Sequence, residues 1–241
     1  MTDRPILFSA PMVLALLAGT KFQTRRVLNP QPEHLQVYDW KGKRLHDSEY
    51  RHWCWKGHVG ADNWDDITKQ LSPFLPYAVG DRLYVREAWR TSMAYDDISP
   101  SDMGGEEPIQ YIADSAVETF GWRGVAVPGR FRQGMHMPRW ASRLTLTVAE
   151  VRVQRLQDIT EADAIAEGTE CLAPPSGTFA GGWRVYGTPP EAGGMWSSAR
   201  DSYHNLWDTL NADRGYSWAE DPWIVAVTFS VIKQNIDQVK P

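Results

Sequence analysis

The stretch Gly80-Asp81-Arg82-Leu83-Tyr84-Val85-Arg86-Glu87-Ala88-Trp89 constrains the fold of this chain more than any other. Its residue types alternate with a period of two, which predicts a β-strand. Leu83, Val85, Glu87 and Trp89 then share one face, and Arg82, Tyr84 and Arg86 the other. The first face is apolar apart from one carboxylate. An ionised carboxylate in such a place is costly unless a cation or several donors meet it. Glu87 therefore requires a partner, and Lys21 is a candidate. Lys21 lies with Thr24 in Gly19-Thr20-Lys21-Phe22-Gln23-Thr24-Arg25-Arg26, directly after a short apolar segment.

A length of 241 residues is enough for a sizeable core. The net charge of -5 gives no global basic field toward nucleic acid. Basic residues are instead clustered. Arg130 and Arg132 precede Met137-Pro138-Arg139-Trp140-Ala141-Ser142-Arg143, and Arg25, Arg26, Arg82, Arg86 and Arg90 flank the two motifs above. Such clusters suit a local anion site, or else a solvated surface. The two cysteines, Cys54 and Cys171, show no paired spacing, which fits a reducing compartment. His52, Cys54 and His58 have no obvious fourth ligand, so no metal or other cofactor is expected. The apolar run from Ile6 to Ala18 is interrupted by Pro11 and is too short to span a bilayer. It reads as a core strand leading into a helix, in a cytoplasmic protein with no membrane partner. Twelve Trp is a high count. Their expected role is to pin long insertions to the core, the alternative being to stack on bases.

Ser9, Pro11 and Gly19 mark the cap, first turn and stop of a helix. Arg143 to Leu156 is strand-like with a change of phase near Ala149-Glu150, which predicts a bulge or sharp bend. Thr160-Glu161-Ala162-Asp163 has the form of a capping box opening a helix over 161–167. Tyr203, Leu206, Trp207 and Leu210 form a helical stripe, and Trp223, Val225, Val227, Phe229 and Val231 alternate in a last strand. Strands outnumber helices, which predicts an α+β fold built on a small mixed barrel or curved sheet.

In their order, these motifs resemble the ASCH family of the PUA-like superfamily. The match is carried by the Gly-x-Lys-x-x-Thr-Arg start, the Gly-Asp-x-Leu-x-Val-x-Glu-x-Trp strand and the Leu-Trp-Asp helix before a Trp-led final strand. Phe8-Ser9-Ala10-Pro11-Met12 and Met137 to Arg143 look like members from tailed phages and prophages, so a bacterial host cytoplasm is implied. The resemblance covers roughly 4–32, 77–93, 133–170 and 200–232. It implies one PUA-like (ASCH) domain over 1–241, a small mixed β-barrel with flanking short helices. Long loop insertions are expected at about 33–76, 92–132 and 172–196.

The resemblance also implies function. Small bacterial members hydrolyse N4-acetylcytidine with a Lys, a Thr and a Glu, and Lys21, Thr24 and Glu87 fall on those positions. A neutral Lys21 would take the proton of the Thr24 hydroxyl, the weak nucleophile of an amide hydrolysis. Glu87 would orient Lys21, activate a water or protonate the leaving amine. Arg25, Arg26, Arg139, Ser142 and Arg143 are candidates for holding a modified nucleoside, or RNA or DNA, through phosphate or base carbonyl groups. The expected activity is hydrolysis of an acyl-amide on a modified cytosine nucleoside or related base. The alternatives are a noncatalytic reader of modified nucleic acid and a ribonuclease. A further alternative is a Lys21–Glu87 ion pair that only fixes the helix end to the sheet.

Overall fold

The computed structural model of the protein describes residues 2–35, 52–55, 58–60, 71–119, 127–172, 181–187 and 194–239. Trp40, Trp64 and Trp122 lie outside them, as do the side chains of His52, Cys54 and His58.

The strands are β1 (Asp3–Leu7), β2 (Gln23–Val27), β3 (Glu33–Leu35), β4 (His52–Trp55), β5 (His58–Gly60), β6 (Arg82–Arg86), β7 (Trp89–Arg90), β8 (Ile109–Tyr111), β9 (Val117–Glu118), β10 (Thr145–Arg155), β11 (Cys171–Leu172), β12 (Gly182–Arg184), β13 (Met195–Trp196) and β14 (Trp223–Ile232). The α-helices that lie wholly within the described residues are α1 (Ala10–Ala18), α2 (Glu161–Ala166) and α3 (Ala199–Asn211). The fold is α+β, with strands predominating. The main sheet has the order β1-β6-β10-β14-β2, and three small sheets follow the orders β3-β4-β5, β7-β8-β9 and β11-β12-β13. Among the described residues these sheets do not close into a barrel.

The chain forms two compact units, one from Met1–Phe22, Val79–Ala149 and Thr228–Pro241, the other from Gln23–Ala78 and Glu150–Val227. In the first, β1 runs parallel to β6, from the Asp3–Arg82 pair to the Leu7–Arg86 pair. β10 runs antiparallel to β6, with Thr145 opposite Tyr84. Helix α1 begins after Ser9, carries Pro11 in its first turn and ends at Gly19, whose φ of 73° is a left-handed stop. It buries Met12, Val13, Ala15 and Leu16. Each large apolar side chain so buried contributes about 1.5–3 kcal/mol. No helix among the described residues is long and apolar enough to cross a membrane. A second apolar cluster joins Trp89, Met103, Ile109, Tyr111, Met137 and Ala141.

In the second unit, helix α2 starts at the Thr160–Asp163 capping box, where Thr160 Oγ1 accepts the Asp163 N–H at 3.1 Å. Helix α3 packs Tyr203 and Trp207 into a cluster with Leu156, Ile159, Ala164, Ile224 and Ala226. Leu210, the last member of the expected stripe, is exposed instead. The stripe turns away from the core as the helix approaches its end at Asn211. Strand β14 buries Ile224 and Ala226 as well as Val225 and Val227, so both of its faces are covered there.

One strand expectation differs from the structure. The predicted Arg82–Trp89 strand stops at Arg86, and Trp89 begins β7 in another sheet. The hydrogen bonds show why. Arg86 O accepts from Phe8 N–H, whereas Ala88 O accepts from Ile112 N–H, so the backbone changes partners across Glu87. Strand β10 runs from Thr145 to Arg155 with no interruption. The phase change is nevertheless present in its side chains: Leu146 and Val148 are buried, Ala149 and Glu150 are exposed, and Val153 is buried again.

Candidate functional site

Glu87 sits where the chain passes from β6 to β7, with 1% of its surface exposed. Backbone atoms crowd this turn. A Cβ on Gly134 would lie 3.0 Å from the Glu87 carbonyl carbon and 3.1 Å from its oxygen, so a glycine there permits the close approach. Arg143 is a cation that meets the carboxylate. Its Nε donates to Glu87 Oε1 at 2.9 Å and its Nη2 to Oε2 at 3.0 Å. This is a two-pronged guanidinium–carboxylate pair.

Arg143 in turn serves a second acid. Its Nη1 donates to Asp114 Oδ2 at 2.8 Å and its Nη2 to Asp114 Oδ1 at 3.1 Å. The guanidinium carbon lies 3.9 Å from the centroid of the Tyr111 ring. Tyr111 is buried and donates its hydroxyl to Glu118 and to the Ala141 carbonyl. One cation thus stands among two carboxylates and an aromatic face.

Burial pushes the Glu87 carboxyl above its ordinary value of 4.5, and the hydrogen bonds and charge of Arg143 offset this in part. Asp114 is more open to water. There burial works upward, but the Arg143 and Ala116 donors outweigh it and hold the carboxyl down. Arg143 is itself disfavoured by burial, yet its bonds to Glu87 and Asp114 raise it on balance. Tyr111 is pushed up by burial and by Glu118.

Lys21 belongs to the same unit as Glu87 and is 1% exposed. Its ammonium lies 5.5 Å from the Phe8 ring centroid. Its backbone N–H donates to Ala15 O, which fixes the chain as it leaves α1. Thr24 belongs to the second unit, is buried and lies within β2 rather than in a turn after the helix. Alternation along β2 puts Gln23, Arg25 and Val27 on one face and Thr24 and Arg26 on the other. Val27 packs on the α2–α3 cluster. Arg25 faces the same way, 3.1 Å from both Glu167 Oε1 and Asp163 Oδ2, with its side chain fully buried. Arg26 is half-buried.

The other candidates have framework contacts. Arg139 pairs with Asp237 and Asp3. Ser142 is buried and donates its hydroxyl to Leu144 O at 3.1 Å, while its carbonyl accepts from Asn235 Nδ2 at 2.7 Å. The structure therefore brings Glu87 and Arg143 together directly. Sequence reasoning missed Asp114 and Tyr111. The one available signal was the Ile109–Tyr111 alternation, which predicts an inward Tyr but not the cation above it.

Arg25 and Glu87 are thus buried charges with named partners, and Lys21 and Thr24 are buried as well. Comparison with known proteins finds no matching family model, no matching curated protein and no matching solved structure.

Proposed function

We propose that this chain is an ASCH-type amidohydrolase of the PUA-like class that removes an acyl group from a modified cytosine nucleoside or related base. The observation that carries the reading is Glu87, a buried carboxyl with a raised proton affinity at a junction between two sheets. A carboxyl shifted toward neutrality is suited to exchanging a proton with a leaving amine. The buried Lys21 and the Thr24 hydroxyl supply the remaining groups on the motif positions.

The chemistry follows from those residue types. The Thr24 Oγ adds to the acyl carbonyl as Lys21 accepts its proton. The C–N bond then breaks and the amine leaves with a proton from Glu87 or Lys21. Water cleaves the resulting ester and returns the hydroxyl, giving the free base amine and a carboxylic acid. Arg143 does not react. It holds Glu87 in one orientation and limits the rise in its proton affinity.

A second reading is a noncatalytic reader of nucleic acid. It is favoured by Phe131, which is 58% exposed beside Arg130, an aromatic face next to a cation that suits base stacking and phosphate contact. The test is incubation of the purified protein with N4-acetylcytidine and with short RNA, followed by mass spectrometry. Cytidine and acetate in equal amounts support the hydrolase. Cleaved RNA selects a ribonuclease, and unchanged substrates remove both activities.

A further inference from the structure

The opposite face of β6 has a different chemistry. Arg82 is committed to Asp3 through two hydrogen bonds of 2.8 Å. Arg86, four residues on, has no carboxylate partner among the described residues. Its Nη1 donates to Met135 O at 3.2 Å and its Nη2 reaches the Tyr84 hydroxyl at 3.4 Å. Its Nε is shielded from water and donates to nothing. A guanidinium carries five N–H donors, and a half-buried one this poorly matched is under-solvated.

Arg86 lines a cavity of about 280 Å³ together with Ser99, Ser101 and His136. Met135 and Pro138 supply apolar wall. The two hydroxyls share one hydrogen bond of 2.8 Å, in which either can donate. When Ser101 gives its one proton to Ser99 at 2.8 Å rather than to Asp102 at 3.3 Å, the Ser99 proton is left for a guest. The Asp102 carboxylate is not part of the lining. The cavity wall therefore holds a fixed cation, an imidazole and a hydroxyl, and no acid.

We propose that this cavity binds a phosphate group, with Arg86 as its anchoring fork. A tetrahedral oxyanion accepts donors from several directions at once, which matches a guanidinium, an imidazole and a hydroxyl on separate segments. The guest is inorganic phosphate or the phosphate of a mononucleotide, whose remaining atoms would lie against the methionine and proline wall. The inference does not depend on the amidohydrolase reading, because none of Lys21, Thr24 and Glu87 lines this cavity.

The test is calorimetric titration of the full chain at low ionic strength, with amide NMR shifts followed at 99–101 and 134–138. The probes are inorganic phosphate and, separately, cytidine 5′-monophosphate. Saturable one-site binding is expected, with sulfate competing and chloride at equal ionic strength not competing. Arg86→Ala should weaken binding at least tenfold, and Arg86→Lys should fall between, since it keeps the charge but loses the fork. His136→Ala is a second variant in case Arg86→Ala does not fold. Tighter binding of the nucleotide identifies an organic phosphate as the guest, and equal binding identifies the free ion. Absence of saturable binding to wild type, or binding unchanged in the Arg86 and His136 variants, would overturn the proposal. Turnover is not part of the readout, so this result stands apart from the fate of the hydrolase reading.

Discussion

Glu87 gives both of its carboxylate oxygens to Arg143, and Arg143 shares the same guanidinium with Asp114. The pair is buried on the Glu87 side, so its geometry governs the protonation of Glu87. Arg143→Met should raise the Glu87 titration midpoint further above 4.5, because burial then acts without the opposing charge. Carboxyl carbon NMR across an acid titration reads this directly. A midpoint that falls, or does not move, would show that Arg143 does not control Glu87.

Thr24 and Glu87 separate chemistry from binding. Thr24→Ala should abolish hydrolysis of N4-acetylcytidine while costing about 1–2 kcal/mol of stability, the usual loss for one buried hydroxyl. Glu87→Gln should also depress turnover, since the amide keeps the shape without the acid–base function. Steady-state kinetics and denaturant melts on the same samples check both. Full activity in Thr24→Ala would remove it as the nucleophile.

Arg25 predicts a loss of fold rather than of affinity. Its guanidinium is buried against Glu167 and Asp163. Arg25→Ala leaves these acids without their cation and should cost about 3–5 kcal/mol. Urea melts measure it. A variant with wild-type stability would free Arg25 for the ligand-binding role expected from the sequence.

Asp3 predicts a pH dependence. Arg82 and Arg139 hydrogen-bond to it and hold its carboxyl below the ordinary 3.8 against the opposing effect of burial. A depressed folded-state value adds stability that is fully present above 3.8 and is lost as pH falls through the folded value. Asp3 is partly exposed, so the contribution is about 1 kcal/mol. Asp3→Asn should be less stable than wild type at neutral pH, and the gap should close under acid. A gap that persists unchanged at low pH would show a cause other than ionisation.

Much of the local structure was legible because its signals are local. Pro11 and Gly19 bound α1, the Thr160 box opens α2, and Leu83 and Val85 face inward as their alternation requires. The end of β6 was not legible, since the alternation continues through Trp89 while the backbone partners change at Glu87. That Glu87 must have a partner follows from its place on an apolar face. That Arg143 is a partner does not, because an ion pair across 56 residues is set by tertiary packing. Arg25 shows the same limit: a cation beside a candidate motif suits a ligand equally well until the acids of a later helix are placed against it.

The first unit is assembled from three separate stretches of chain, the last beginning at Thr228. Those final residues are structural: Asn235 donates to the carbonyls of Arg139, Trp140 and Ser142, directly before Arg143, and Gln234 O accepts from Thr145 Oγ1. A ribosome-bound chain that has already emitted Glu87 and Arg143 therefore still lacks the braces around them. The charged centre is braced only once residues 234 and 235 have been added, and a nonsense codon between Arg143 and Asn235 would yield a product with every candidate catalytic residue and without those braces.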